Sequence, residues 1–434
     1  MKNAVTLFLD TLVLEDNDSY IVYVPFSKKL TRTTKDPLSD KNLFDILSKN
    51  GFFNKLPHST NIDSVDNWSG FKSLTLLVAR KCNLACVYCY AAAKPNGESM
   101  PEQLALDALD WFNGQLKQNT IRITFHGGGE PTLEKNLIKK VVSRTKEIAN
   151  GKNLRFHIVT NGTADSSFMD WLATENFGIS ISADGPPAIQ NRNRPYASGL
   201  GSSKKVEETI RSLVAKNVSF TIRLTFSPTD NLSEIIGYFG NLGVKSLHLE
   251  PIFPHGRNYK EMKLVGNGPE TSIVDSASSK SFADKFLEAL DIARNLNIRI
   301  TNSHLGNLSR GNGYFCGSAS GRSMIVTHDG LISGCLEVVD KNDPDLNHFN
   351  LGKYDSVDRD FKILKPKLIG FQSRHADSLK SCKDCYARYT CAGGCAVKAV
   401  RATGDFAERD ESYCSFTKMV IPAVIKRIAE FNGV

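Results

Sequence analysis

The sequence predicts an α/β protein: a parallel sheet covered by helices, with a small N-terminal α+β extension and a cysteine-rich C-terminal region. Three observations carry this. Short apolar runs alternate with amphipathic stretches from about residue 70 to 303. Glycine-rich or Asn/Asp-Gly turns close several of those runs. The ten cysteines fall into two fields, three between residues 82 and 89 and seven between 316 and 414.

Residues 1–69 are the extension. Segments 7–14 and 20–25 read as strands paired across the Asp16-Asn17-Asp18 turn, and 42–53 as a short amphipathic helix closed by Asn50-Gly51. Within 70–305 the expected strands are 73–80, 121–126, 156–161, 179–183, 220–226 and 246–251. Helices are expected at 101–117, 133–149, 166–176, 204–217 and 232–242, and a further one, 281–295, after the sixth strand. This alternation argues for successive βα units, but periodicity alone permits either a barrel or a flat doubly wound sheet. Residues 306–434 hold the second cysteine field.

With 41% hydrophobic and 23% charged residues, the 434-residue chain has the composition of an ordinary globular protein of two or three domains. No apolar run reaches the length of a membrane span. The run after Lys2 is broken by Asp10 with no small-residue cleavage site behind it, so no signal peptide is expected. Ten cysteines in that context point to metal ligation in a reducing cytoplasm. A charge of +8 without a long basic run gives no indication of a nucleic-acid partner.

The chemistry begins in the run Lys81-Cys82-Asn83-Leu84-Ala85-Cys86-Val87-Tyr88-Cys89-Tyr90. Three thiolates at this spacing can grip three corners of a four-iron cluster and leave one iron open. They follow the first expected strand, at the end where α/β barrels place their chemistry. A zinc knuckle, disulfides or buried free thiols are the alternatives that spacing alone leaves. The pattern, with Tyr88 just before the last cysteine, resembles the radical S-adenosylmethionine (SAM) enzymes. That resemblance implies a partial (β/α)6 barrel and an open iron that chelates the amino and carboxylate groups of SAM. One electron then cleaves a carbon–sulfur bond, giving methionine and a 5′-deoxyadenosyl radical that abstracts hydrogen.

The later turns suit the same site. His126-Gly127-Gly128-Gly129-Glu130-Pro131 resembles the family's element for the SAM amino group, with the carbonyls of Gly128 and Gly129 and the Glu130 carboxylate as acceptors. The resemblance also implies Tyr88 as a cofactor contact, Ser182, Asp184 or Asn161 at the ribose hydroxyls, and Arg223 against the carboxylate. Turn chemistry at Asn161-Gly162 and Asp184-Gly185, or a surface salt bridge for Arg223, would account for them equally. His126, His248 and His255 are expected to pack or touch substrate, since none has a spaced partner of metal-ligand type.

The run Cys382-x2-Cys385-x5-Cys391-x3-Cys395, with His328-Asp329-Gly330 five residues before Cys335, resembles the SPASM extension of radical enzymes that mature peptides and proteins. The resemblance implies two auxiliary [4Fe–4S] clusters, three clusters in all. Cys382, Cys385, Cys391 and Cys414 would hold the distal one, and Cys316, Cys335 and Cys395 the proximal one. Relatives carry a further cysteine soon after the position of Cys316; here 317–323 contains none, so the proximal cluster is left with an open iron or a non-cysteine ligand. A pair of zinc ribbons is the alternative, awkward for seven ligands.

The expected function is therefore oxidative modification of a ribosomally made peptide or protein, as a thioether or carbon–carbon crosslink, in the cytoplasm. A one-electron donor such as flavodoxin or ferredoxin is the implied partner. Anaerobic sulfatase maturation to formylglycine is the rival. Those enzymes place an aspartate base directly after the cysteine matching Cys335, whereas here Leu336 follows and Glu337 comes one later, on the opposite face if the segment is a strand. Glu337 remains the candidate catalytic carboxylate. An iron–sulfur or zinc regulatory protein is the non-enzymatic alternative. Some relatives use a small winged domain to hold a leader peptide; residues 1–69 are short for one and equally suit a barrel cap.

Overall fold

Along the middle strands buried residues alternate with half-buried ones, and this period of two assigns each side chain to a face. Strand β6 (Thr120–His126) buries Ile121, Ile123 and Phe125 and turns Thr124 and His126 the other way. Strand β9 (Phe220–Phe226) likewise buries Ile222, Leu224 and Phe226 and turns Arg223 and Thr225 the other way. The buried set meets helix residues such as Phe112, Ile138, Phe168, Ile210 and Phe239 in one core. The opposite face carries polar side chains, and it is there that ligand chemistry is available.

The computed structural model describes residues 5–8, 11–25, 27–53, 70–227, 230–252, 276–308 and 313–433; His255 lies outside them. Strands β5 (Ser73–Leu77), β6, β7 (Asn153–Thr160), β8 (Gly178–Ser182), β9 and β10 (Ser246–Pro251) are parallel and lie side by side in chain order. A doubly wound sheet reverses its order part-way. An unreversed order puts every same-handed crossover helix on one face, and the sheet curls around the other. The fold is a partial (β/α)6 barrel.

Two strands extend it beyond the six expected. β11 (Arg299–Thr301) pairs parallel with β10, and β12 (Ser323–Val326) pairs parallel with β5 on the other edge. β13 (Leu331–Ser333), β14 (Asn350–Asp355) and β15 (Asp360–Ile363) then add antiparallel, so the cysteine-rich region continues the barrel sheet without a break. The His328-Asp329-Gly330 motif lies in the turn between β12 and β13.

Some boundaries differ from the sequence reading. The first strand ends at Leu77, because Val78 and Ala79, although buried, leave the ladder to pair with the segment at 99–100. A helix, Pro187–Asn193, stands where the sequence suggested only a turn; proline suits a first helical turn, where its missing N–H costs nothing. Segment 7–14 is two strands, β1 (Val5–Phe8) and β2 (Thr11–Asp16), paired with Phe8 opposite Thr11. With β3 (Ser19–Val24) and the edge strand β4 (Lys29–Thr33), they make a four-stranded antiparallel sheet. One face of this sheet (Leu12, Leu14, Ile21, Tyr23) joins the main core and the other packs on Leu47 and Phe53. The Tyr23 hydroxyl donates to the Leu308 carbonyl at 2.6 Å, and Lys426 of the long helix Glu411–Phe431 pairs with Asp16 at 3.0 Å.

Candidate functional site

The cysteine loop has no regular structure, and its backbone is held by partners from three other segments. The Cys82 N–H donates to the Lys94 carbonyl (3.0 Å), Ala85 to Pro195 (2.8 Å), Val87 to Asn193 (2.9 Å), and Glu130 donates to Lys81 (2.8 Å). The glycine run serves this docking. A Cβ on Gly129 would stand 2.0 Å from the Lys81 carbonyl oxygen, and one on Gly127 would stand 1.7 Å from that of Gly129. These two glycines therefore permit close backbone approach within the protein. Gly128 instead faces Arg80 and Val339.

Cys82, Cys86 and Cys89 act on one another electrostatically. Burial, with the neighbouring thiols adding to it, pushes Cys82 and Cys86 up to about 12. Bare, these thiols hold their protons; binding iron would expel them. The Arg194 guanidinium opposes the rise at Cys86. Arg194 is itself buried, 3.0 Å from Asp184 and 5.1 Å above the Tyr88 ring. Three soft donors with a fixed cation beside them fit a thiolate-bound iron cluster.

The polar residues expected at the cofactor divide into two groups. Glu130 is 2% exposed, and its oxygens accept from Thr132 N (3.0 Å), Thr132 Oγ1 (2.7 Å), Thr160 Oγ1 (2.7 Å) and Asn161 N (2.6 Å). A carboxylate so engaged ties three chain segments together: Oε1 takes three of these bonds and Oε2 one. Asp184, fully buried, accepts from Tyr88, Asn193 (3.2 Å) and Thr225 N (3.2 Å) and pairs with Arg194. Both carboxylates, and the Tyr88 hydroxyl with them, are internal supports. Asn161 folds its Oδ1 onto Thr163 and aims Nδ2 at Asn83 (2.9 Å) and at the Cys82 sulfur (3.9 Å).

Ser182 and Arg223 are different. They are register partners on β8 and β9, on the concave face. Neither side chain makes a hydrogen bond or ion pair among the described residues. Burial lowers the Arg223 pKa, with Glu250 and Tyr90 opposing that shift. An unpaired guanidinium in such a place is costly unless an anion joins it. His126 and His157, which burial and the Arg223 charge press down to about 4, are neutral companions.

Because Glu130 is an internal tie, we expect Glu130→Gln to lower stability by about 1–3 kcal/mol, the cost of a spoiled buried acceptor. SAM affinity per folded molecule should be nearly unchanged. Urea unfolding and calorimetric titration separate these outcomes, and a large affinity loss at unchanged stability would restore the direct role.

The seven C-terminal cysteines form two groups. Cys391 feels the charges of Cys414, Cys382 and Cys385. Cys335 feels those of Cys395 and Cys316. A small pocket is lined by Cys382, Cys385, Cys391, Cys395 and Cys414, with His304 and Lys398 on its wall. Arg374, 3% exposed, donates to the carbonyls of Gly393, Gly394, Phe406 and Glu408 and stands near both groups. Arg194 and Arg374 were missed by the sequence reading, and no local spacing marks either one.

Tyr90 links the two fields. Its hydroxyl donates to the Gly127 carbonyl at 3.0 Å, and it feels the charges of Glu337, Cys89 and Cys335. Residues 336–337 form a turn instead of a strand, so alternation does not send the Glu337 carboxylate to the far face. It lies near Cys335 and Cys395, paired with Arg401 at 2.6 Å.

The radical SAM superfamily model matches residues 76–239, the span that carries the cysteine loop, the glycine run, Ser182 and Arg223. Residues 76–239 carry a radical SAM domain. Such a domain implies SAM and a [4Fe–4S] cluster. A cysteine-type anaerobic sulfatase-maturating enzyme of Clostridium perfringens is 27% identical over 197 residues, 41% of this chain and 52% of that one. The chain thus matches about half the length of that relative. Native anSMEcpe with bound AdoMet and Cp18Cys peptide shares the fold at TM-score 0.65 and 20% identity, covering 83% of this chain and 99% of that one. SuiB of Streptococcus suis, bound to its precursor peptide SuiA, does so at TM-score 0.55 and 13% identity, covering 94% and 99%. Among the described residues, no helix of this radical SAM protein is long and apolar enough to cross a membrane.

Proposed function

We propose that this radical SAM protein oxidatively modifies a ribosomally made peptide or protein, forming a thioether or carbon–carbon crosslink. The observation that supports this most is Arg223 beside the Ser182 hydroxyl on the concave face, neither with a side-chain hydrogen bond or ion pair among the described residues. A non-catalytic iron–sulfur or zinc regulator has no use for a buried cation held ready for an anion there. In this reading 70–305 hold SAM, 306–434 hold two auxiliary clusters and 1–69 cap them.

When bound, SAM and its cluster supply a 5′-deoxyadenosyl radical that removes hydrogen from carbon. The chain's residues position and shield. Cys82, Cys86 and Cys89 would hold the iron, Arg223 would pair with the SAM carboxylate, and Ser182 would bond the ribose. The glycine-run carbonyls would take the amino group. Overall the peptide would lose two hydrogens, one as an atom and one as a proton with an electron. Clusters held by the C-terminal thiolates would supply the acceptor for that electron, and a one-electron donor of the flavodoxin or ferredoxin kind, in the cytoplasm, would serve the site of Cys82, Cys86 and Cys89.

Formylglycine formation is a second reading, favoured by one observation: Glu337 lies near Tyr90 and Cys335, so a carboxylate base is available at the junction. Incubating the reduced, reconstituted protein with SAM and a cysteine-containing peptide tests both. A product short of two hydrogens that keeps its sulfur as a thioether supports crosslinking, and an aldehyde in place of the thiol supports formylglycine. No SAM cleavage under any reductant sinks the enzymatic reading.

Arg223→Leu is expected to weaken SAM binding by about 1.5–3 kcal/mol, the worth of a hydrogen bond to a charged group. Titration of the reconstituted protein measures it, and unchanged affinity would return Arg223 to a structural role.

A further inference from the structure

Arg374 is a buried cation without a carboxylate. It follows the helix Lys365–Gln372 and is 3% exposed. Its guanidinium donates to four backbone carbonyls: Nε to Phe406 at 2.7 Å, Nη1 to Gly394 at 3.0 Å, and Nη2 to Gly393 at 3.0 Å and to Glu408 at 2.7 Å. It forms no ion pair among the described residues, whereas the buried Arg194 has Asp184 at 3.0 Å. Carbonyl dipoles satisfy N–H groups but leave the charge in place, and an unpaired charge taken out of water is costly. A guanidinium has five N–H donors. Four are used here, so one on Nη1 is left without an acceptor among the described residues.

The position of this charge indicates what would compensate it. Gly393 and Gly394 lie between Cys391 and Cys395. There the chain passes from the group of Cys382, Cys385, Cys391 and Cys414 to the group of Cys316, Cys335 and Cys395. Arg374 grips that crossing through Nη1 and Nη2. It feels Cys382 and Cys391 of the first group and Cys316 and Cys395 of the second, and Cys316 feels the guanidinium in return. Tying carbonyls together requires donors but no charge, so a neutral side chain could do that much. Anionic groups on both sides require the charge itself. Thiolate-bound clusters are anionic, and net charge and hydrogen bonds to their sulfurs set their reduction potentials.

We propose that Arg374 is the counter-ion shared by the two C-terminal cysteine groups, a cation that raises the reduction potential of the iron–sulfur cluster held in each. The proposal rests on the reading that each group holds a [4Fe–4S] cluster. A reduced cluster carries one electron more than the oxidised one, so the guanidinium stabilises the reduced form more. Both clusters are thereby suited to accept an electron. Arg374 acts on the reaction only through them.

The test uses the full chain with Cys82, Cys86 and Cys89 replaced by alanine, so that only the C-terminal groups report. After reconstitution, both midpoints are read by electron paramagnetic resonance during titration with dithionite, in this parent and with Arg374→Gln or Arg374→Lys added. Gln keeps an N–H donor without the charge, and Lys keeps the charge without the fork. Within about 12 Å, in surroundings of effective dielectric constant about 20, a unit charge changes such an equilibrium tenfold or more. Arg374→Gln is expected to lower the reduced-to-oxidised ratio of both clusters about tenfold at fixed potential, a midpoint drop of about 59 mV for a one-electron couple. Arg374→Lys should stay close to the parent. Iron uptake by Arg374→Lys where Arg374→Gln fails to fold or load would support the same role for the charge. Unchanged midpoints in Arg374→Gln, an equal fall in both variants, or a fall at one cluster alone would overturn the proposal. So would failure to fold or load in both variants, or in Arg374→Lys alone, since the carbonyl tie would then be what matters. If the parent itself takes up no iron in the seven-cysteine field, the cluster reading is the error, and the proposal falls with it.

Discussion

Replacing Cys82, Cys86 and Cys89 together by alanine should abolish production of methionine and 5′-deoxyadenosine, to the level of a protein-free control. The three thiols are neighbours on one loop, pinned by Lys94, Asn193 and Pro195, and no other described cysteine is placed to substitute for them. Iron should fall by about four per chain and about eight should remain, since each auxiliary group can carry a four-iron cluster. Chromatographic product assay and iron analysis of the same sample check both parts. Undiminished SAM cleavage would remove the loop from the chemistry. Stoichiometric zinc in place of the remaining iron, without charge-transfer absorption, would favour a zinc-ribbon region.

The second large effect is expected at Arg194. Its ion pair with Asp184 is almost wholly buried, the side chains being 9% and 0% exposed, and it holds Tyr88 against the loop. Arg194→Leu leaves a buried carboxylate without its cation, and breaking such a pair typically costs about 3–5 kcal/mol. The double variant Arg194→Leu with Asp184→Asn should be less destabilised than the two single effects summed, because no orphan charge remains. Urea midpoints at constant slope measure this. Simple additivity would mean that the pair contributes nothing specific. The loop should also lose its iron more readily in Arg194→Leu, since the cation beside Cys86 is gone.

Much of the candidate site was legible because its signals are local. The cysteine spacing within residues 82–89 limits how three thiolates can be presented whatever surrounds them. In the structure the period of two in β6 and β9 turns Thr124, His126 and Arg223 away from the core. The six parallel strands followed from alternation alone, and their unreversed order, a property of the sheet, decided between barrel and flat sheet. Edge strand β4 went unread because its residues are half-buried throughout and show no alternation.

Glu130 and Asp184 show where local signals stop. Both stand at strand ends in polar turns, where a carboxylate can face a ligand or the protein equally well. The outcome depends on Thr132, Thr160 and Asn161 for one, and on Tyr88, Asn193, Arg194 and Thr225 for the other. Glu337 depended on a turn replacing an assumed strand.

By itself, then, the sequence determined the βα repeat, the two cysteine fields and the thiol chemistry, because these rest on spacing along the chain. Tertiary structure alone decided which polar groups at the concave face lack partners among the described residues, and how Arg194 and Arg374 are placed beside the thiols. The physical reason is that a buried polar atom takes whichever partner reaches it first with good geometry. Such partners come from segments far apart in the chain, between which no sequence periodicity operates.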